Sequence, residues 1–302
     1  MNIIGKKNWY FGLSLLVLIP GIIALFLWGL NLSIDFSGGS RFTLAFTNNT
    51  TAANVESVRT ILKDQGIKIA SIEKSSKLIF VRTAPIDSSQ NNKFVNTLSK
   101  QFKDVQEQEF ETIGPVIGQE TTLNAFKAVG IASILIILYI TWSFRTVPKP
   151  ASSFRFGVCA IIALIHDVLV VVGVFAILGH FFGVEIDSLF VTAILTIIGF
   201  SVHDTIVVFD RIRENLRKTS GVPFGKAVND SILQTFARSL NTSLTVVLVL
   251  VALLLFGGES IRWFAVALLV GIISGTYSSI FNAAPILVVW HEWSEKRKKT
   301  KN

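Results

Sequence analysis

The chain has 302 residues, 51% of them apolar, and a mean hydropathy of +0.58, too apolar for a water-soluble domain of this size. Its single cysteine, Cys159, excludes an internal disulfide and a cysteine-based zinc cluster and reads as a small apolar helix residue. The net charge of +8 lies wholly outside residues 31–123, beside apolar runs, which points to the lipid bilayer as partner and away from nucleic acid.

In chain order there are six long apolar segments, near residues 9–30, 124–144, 157–180, 187–209, 239–257 and 263–290. Each reaches about the 20 residues a helix needs to cross a bilayer. The first follows Lys6-Lys7 and carries no convincing cleavage site, so it reads as a retained anchor. Pro20-Gly21 is expected to kink it, and Trp9, Tyr10 and Trp28 mark its interfacial ends. Lys6, Lys7, Arg145, Lys149, Arg155, Arg211, Arg213, Arg217, Lys218, Lys226, Arg238 and the tail Lys296, Arg297, Lys298, Lys299 and Lys301 fall on one side of the six spans. The positive-inside bias makes that side cytoplasmic, with both termini there. The short opposite loops, GVEID and GGES, are acidic.

Residues 31–123 then form one extracytoplasmic domain. SRFTLAF, GIKIASIE, KLIFVRT and QEQEFETI read as strands, with helices near 51–65 and 88–103. The order β-α-β-β-α-β is the ferredoxin-like one. The expected fold class is a six-helix membrane bundle with one ferredoxin-like α+β domain between its first two helices. The remaining boundaries are a first segment of residues 1–30, a membrane region of 124–293 and a basic tail of 294–302.

No phosphate-binding loop, no zinc-protease motif and no Cys/His metal spacing is present, so neither enzyme chemistry, a metal nor another cofactor is expected. The informative residues are polar groups inside the apolar spans, where an ionised side chain needs a partner or a water-filled cavity. His166 and Asp167 lie near the middle of the third span. Asp204 lies in the fourth, six residues before Asp210, or about 9 Å of helix rise. Ser201, one turn away, is placed to hydrogen-bond Asp204, while His203 points about 100° off, toward the side of Asp210. Arg238 opens the fifth span at comparable depth and is the best partner for Asp204. Asn241, Thr242, Ser243 and Thr245 follow it and suit a water path. Burial and an adjacent guanidinium act oppositely on a carboxyl group, so the pair Asp204–Arg238 is either a static ion pair or a proton relay. His166, Asp167, Ser201, His203 and Asn241 are candidate supports. Gly271, Gly275 and Ser279 in the sixth span form a small-residue face for close helix packing.

These motifs together resemble the SecF members of the SecD/SecF family of protein-export membrane proteins, within the resistance-nodulation-division superfamily. The resemblance is carried by IDFSGGSRF (34–42), IGPVIGQE (113–120), ALIHDVLVVVG (163–173), GFSVHDTIVVFDRIREN (199–215) and TFARSLNTSLT (235–245). It implies a non-enzymatic subunit of the Sec translocase in the bacterial plasma membrane. Its implied partners are SecD, the SecYEG translocon, an unfolded polypeptide in transit and protons. It also places the family's proton-path carboxylate on Asp204 and its partnering arginine on Arg238, where His203 departs from the usual neighbour. Asp35, Phe36, Gly38 and Gly39 are the family signature, read physically as a hinge or brace at the membrane exit. The competing readings are a small-molecule or lipid exporter of the same superfamily and a scaffold without proton coupling.

Overall fold

The structure is a computed structural model that describes residues 2–48, 51–75, 77–102, 105–145, 152–218 and 221–300. Lys149 and Lys301, and the side chains of Lys298 and Lys299, lie outside the described residues. The chain divides into two compact units, one of Met1–Asn31 with Lys127–Asn302 and one of Leu32–Phe126.

Helix α1 (Lys7–Trp28) follows a short 3-10 turn and runs through Pro20 as one helix. Pro20 interrupts no helical turn, so α1 is continuous through it. Gly21 serves as a contact point, as described below.

The second unit opens with a one-turn helix α2 (Ile34–Ser37), whose first backbone N–H is capped by the Ser33 hydroxyl. Strands β1 (Gly39–Phe46), β2 (Ile69–Ser75), β3 (Leu78–Thr83) and β4 (Val105–Ile113) pair antiparallel in the order β2-β3-β1-β4. Helices α3 (Ala52–Asp64) and α4 (Ser88–Gln101) cross between them, each opened by a capping box, Thr51 with Asn54 and Asp87 with Gln90. The alternation of β1 and β3 sends Phe42, Leu44, Ile79 and Val81 to one face, where they pack on Val58, Leu62, Phe94 and Leu98 of the helices. Strand order and connections are those of the ferredoxin-like fold.

Among the described residues, six helices are long and apolar enough to cross a membrane. After α1 these are α5 (Pro115–Ser143), α6 (Ser153–Phe182), α7 (Ser188–Lys218), α8 (Phe224–Phe256) and a composite of α9 (Glu259–Ser278), a π-helical turn (Ser279–Ala283) and α10 (Ala284–Lys299). Several outrun their apolar segments. Helix α8 begins at Phe224, fifteen residues before the apolar run, because Ala227, Val228, Ser231, Ile232 and Thr235 repeat at helical spacing and bury one face. Buried positions concentrate on α6, α7 and α9, which form the centre of the bundle, while α5 is almost wholly exposed. The described end of α5 meets α6 and α7 through a cluster of Phe144, Phe156 and Phe209.

Two glycine contacts set the helix spacing. A Cβ on Gly173 of α6 would lie 2.6 Å from Cα of Gly21 on α1, and one on Gly271 of α9 would lie 2.3 Å from Ile197 of α7. The first contact sets backbone against backbone and the second seats the Ile197 side chain against the α9 backbone, and both need a residue without a side chain. Gly173→Ala must therefore part α1 from α6, at a cost typical of overpacking, about 1–3 kcal/mol. A thermal melt of the purified protein should shift down by several degrees. Gly199→Ala, where an added Cβ meets nothing within 4 Å, should leave the melt unchanged. Equal melts for the two variants would contradict the close contact.

On the open face of the sheet, Glu73 pairs across to Phe80, with Arg82 nearby. Burial raises its carboxyl above the usual value of 4.5, and the Arg82 guanidinium partly offsets this. The folded state thus holds the proton more tightly than the unfolded chain, so stability is lost as pH rises from the unfolded value through the raised one. Solvent screening keeps the effect to roughly a few tenths of a kcal/mol. Glu73→Gln should raise the resistance of this unit to unfolding slightly at pH 7 and leave it unchanged near pH 4, as read by pH-dependent proteolysis.

Candidate functional site

Two carboxylates are buried among the described residues, Asp167 at 0% and Asp204 at 2% exposure. Their surroundings differ. Asp167 projects from the middle of α6 toward α7 and α9. Its Oδ2 accepts hydrogen bonds from Ser201 Oγ of α7 and Ser278 Oγ of α9, both at 2.6 Å. Its Oδ1 accepts from Ser274 Oγ at 2.7 Å and lies 3.0 Å from Nδ1 of His166. Both oxygens are therefore fully engaged, in an apolar setting where an unengaged one would be costly.

The packing face of α9 makes this possible. Gly271, Ser274, Gly275, Ser278 and Ser279 fall on one side of the helix by 3-and-4 spacing. Gly275 brings the α9 backbone against Ser201, where an added Cβ would sit 3.2 Å from the serine Cβ. The flanking serines then reach across. Ser279 and Thr205 share a hydrogen bond of 2.8 Å one turn further along, and Ser243 of α8 pairs with Thr276. Helix α1 is tied to the same region by Ser14 on Asn282 and by Tyr277 on the Tyr10 carbonyl.

Asp204 lies one turn from Ser201 on α7 but turned toward α8, where Ser239 stands beside it. Its Oδ2 is buried without a hydrogen-bond partner, and so is the Ser239 hydroxyl. The expected bond from Ser201 to Asp204 is not made. Three residues advance a helix by about 300°, which leaves the two side chains about 60° apart, and the nearer acceptor for Ser201 is Asp167.

The pairing of Asp204 with Arg238 is also not made within this chain. Arg238 precedes Ser239, which places its side chain off the buried face; it is exposed and forms no ion pair among the described residues. Asn241, Thr242 and Thr245 are exposed on the same side, at spacings of three, four and seven residues from Arg238, whereas Ser243 turns inward. His203 is exposed on α7 beside Thr196 and Gly199, on a face directed away from Asp167. The structure thus brings together Asp167, His166 and Ser201, and leaves Arg238, Asn241 and His203 on outward faces.

The signature at the start of the second unit is packed rather than loose. Gly38 and Gly39 have φ of 70° and 131°, values that favour glycine. A Cβ on Gly38 would lie 2.9 Å from Cα of Pro115, and one on Gly118 would lie 2.8 Å from N of Gly38. Phe36 is buried, and its carbonyl accepts from Thr122. The segments IDFSGGSRF and IGPVIGQE are therefore two halves of one close contact, which favours the brace over the hinge. Ser33 caps the one-turn helix, and Asp35 within it is half-buried.

Sequence reasoning missed Ser274 and Ser278 as partners of Asp167 and Ser239 as the neighbour of Asp204. The signal was present in ISGTYSS, where serines flank the glycine stripe at i+3 and i+7.

Residues 93–293 match the model of the protein export membrane protein SecD/SecF C-terminal region, and residues 23–50 match that of the SecD/SecF GG motif. The chain is 46% identical to the protein translocase subunit SecF of Thermobaculum terrenum over 96% of its own length and 94% of that protein. It is 47% identical to the SecF subunit of Anaerolinea thermophila over 97% and 96%. A crystal structure of SecDF, a translocon-associated membrane protein from Thermus, superposes with a TM-score of 0.84 at 35% identity. That match covers 97% of this chain but 39% of the longer SecDF chain. With its family models matched over most of its length, its relatives collinear from end to end and its fold shared, the chain belongs to the SecD/SecF family of protein-export membrane proteins.

Proposed function

We propose that the chain acts as the SecF subunit of the Sec export machinery, pairing with SecD in the bacterial plasma membrane and using the proton motive force to assist polypeptide movement through SecYEG. The observation that carries this reading is the outward polar stripe of α8, Arg238, Asn241, Thr242 and Thr245, beside the half-satisfied Asp204. Arg238 immediately precedes the apolar run of α8 and is exposed, with no ion pair among the described residues. Such a stripe calls for a protein partner or a wet crevice, and SecD, the pseudo-symmetric half implied by the longer SecDF relatives, fits that need. In that crevice Asp204 accepts a proton and Arg238 answers its charge. One charge moving through 100 mV supplies about 2.3 kcal/mol, enough to bias two packings of a helix bundle. The subunit itself carries out no covalent chemistry. Both termini, with the basic tail, lie in the cytoplasm, and the unit of Leu32–Phe126 faces the far side, where an unfolded chain emerges.

The test is export of a secretory precursor into membrane vesicles, with and without a proton gradient. Asp204→Asn should reduce the gradient-dependent part at least about tenfold, equivalent to roughly 1.4 kcal/mol, while SecD still co-purifies. Arg238→Ala should do the same. Normal gradient-dependent export by both variants would leave only a scaffold. Failure to recover SecD and SecYEG with the intact protein would favour the exporter reading.

A further inference from the structure

Asp167 is more completely held than any stabilising role for one helix requires. One carboxylate, 0% exposed, joins three helices. Its partners are Ser201 on α7, Ser274 and Ser278 on α9, and His166 on its own helix. Two of these occupy positions that govern their surroundings. Ser278 is the last residue before the π-helical turn, so its bond to Asp167 fixes where α9 changes register. Ser201 is held at both ends. Its hydroxyl donates to Asp167, while its carbonyl accepts from Thr205 at 3.0 Å and from Ser279 at 3.4 Å. The turn of α7 that follows carries Asp204. The Ser201–Asp167 bond and the close approach of Gly275 to Ser201 both hold α7 at the rotation in which Asp204 projects toward α8.

We propose that Asp167 is a positioning residue for Asp204, acting through Ser201 and Ser278 to hold α7 and the π-helical turn of α9 in the register that presents Asp204 to α8. This inference rests on the reading of Asp204 as the proton-accepting group. The chemistry of the clamp is specific. Three serine hydroxyls donate to the two oxygens, with His166 Nδ1 beside them, so an acceptor-only carboxylate takes every hydroxyl as a donor. Asparagine would place an NH2 group against one side of the cluster, where the facing hydroxyls must turn from donor to acceptor and the charge-assisted bonds are lost. Glutamate keeps the acceptors on an arm longer by one methylene.

The experiment uses the full chain expressed with SecD and the same vesicle export assay. Asp167→Asn should lower the gradient-dependent component about fivefold or more, the effect expected of losing one buried charge-assisted hydrogen bond. It should leave the gradient-independent stage and SecD association at the level of the unaltered protein. Asp167→Glu should restore at least about half of the lost component. Ser201→Ala, which removes one hydroxyl without adding bulk, should reduce the component by about two- to threefold while SecD still co-purifies. Full gradient-dependent export by Ser201→Ala and Asp167→Asn, alongside an inactive Asp204→Asn, overturns the positioning role alone. A parallel fall of both stages in Asp167→Asn with no recovery in Asp167→Glu shows simple structural damage and also overturns it. A fully active Asp204→Asn overturns the underlying reading and the inference with it.

Discussion

The bundle is organised around one buried carboxylate, both of whose oxygens are engaged by side chains of neighbouring helices. Asp167 lies at the meeting of α6, α7 and α9, and a charge there is tolerated only with donors on every side. Serine is the residue that meets this need most compactly, because its hydroxyl reaches about one helix radius without filling the interface. The serines can reach only if the helices are close, and they are close only because Gly271 and Gly275 remove the side chains between them. Glycine stripe, serine flank and central aspartate are thus a single device, and changing any one member alters the demand on the others.

Asp204, like the ring Nε2 of His166, leaves part of that demand unmet. It is as buried as Asp167, yet its Oδ2 makes no hydrogen bond of ordinary geometry, and the Ser239 hydroxyl stands close enough to interact with the carboxyl without completing one. Polar groups in native proteins are paired with few exceptions, and the exceptions concentrate where a structure works. The contrast between two aspartates on adjacent helices separates a group that holds the bundle from a group that can change within it. The outward Arg238 completes the contrast. A guanidinium at the head of an apolar run that forms no ion pair among the described residues is intelligible as one side of an assembly.

Much of this was legible in the sequence. Six apolar runs and the strand alternation of SRFTLAF and KLIFVRT give the architecture directly, since hydropathy and period two are local properties. Asp204 and Arg238 stand out because charged residues in apolar runs are rare. What could not be read was which polar groups would meet. Ser201 lies within one turn of Asp204 in the chain, and sequence distance favours that pair. The bond goes instead to Asp167, 34 residues away, because partner choice depends on helix rotation and on which neighbour presents a glycine. Arg238 illustrates the same limit. Depth in the membrane can be counted along a helix, but its facing depends on which side of α8 is buried, and Ser239 and Ser243 decide that. Helix ends were also hidden, because hydropathy reports the lipid-spanning part of α8 and not the amphipathic turns that begin at Phe224.

The second unit obeys the same rule of close approach in a different medium. Gly38 is needed twice over, for its positive φ and for its contact with Pro115, while Gly118 is needed because it meets the backbone of Phe36 and Gly38. The motif at the start of the unit and the motif at its end are therefore not two signatures but one contact, made by residues 80 positions apart. That contact fixes the first turn of α5, the helix that starts in this unit and continues as a membrane span. Loosening a hinge would call for small residues with space around them, like Gly199. Gly38 has none, and its lack of a side chain serves to bring backbone against backbone. A glycine pair in a sequence can thus signal rigidity as readily as freedom, and the number of atoms within reach of its missing Cβ distinguishes the two.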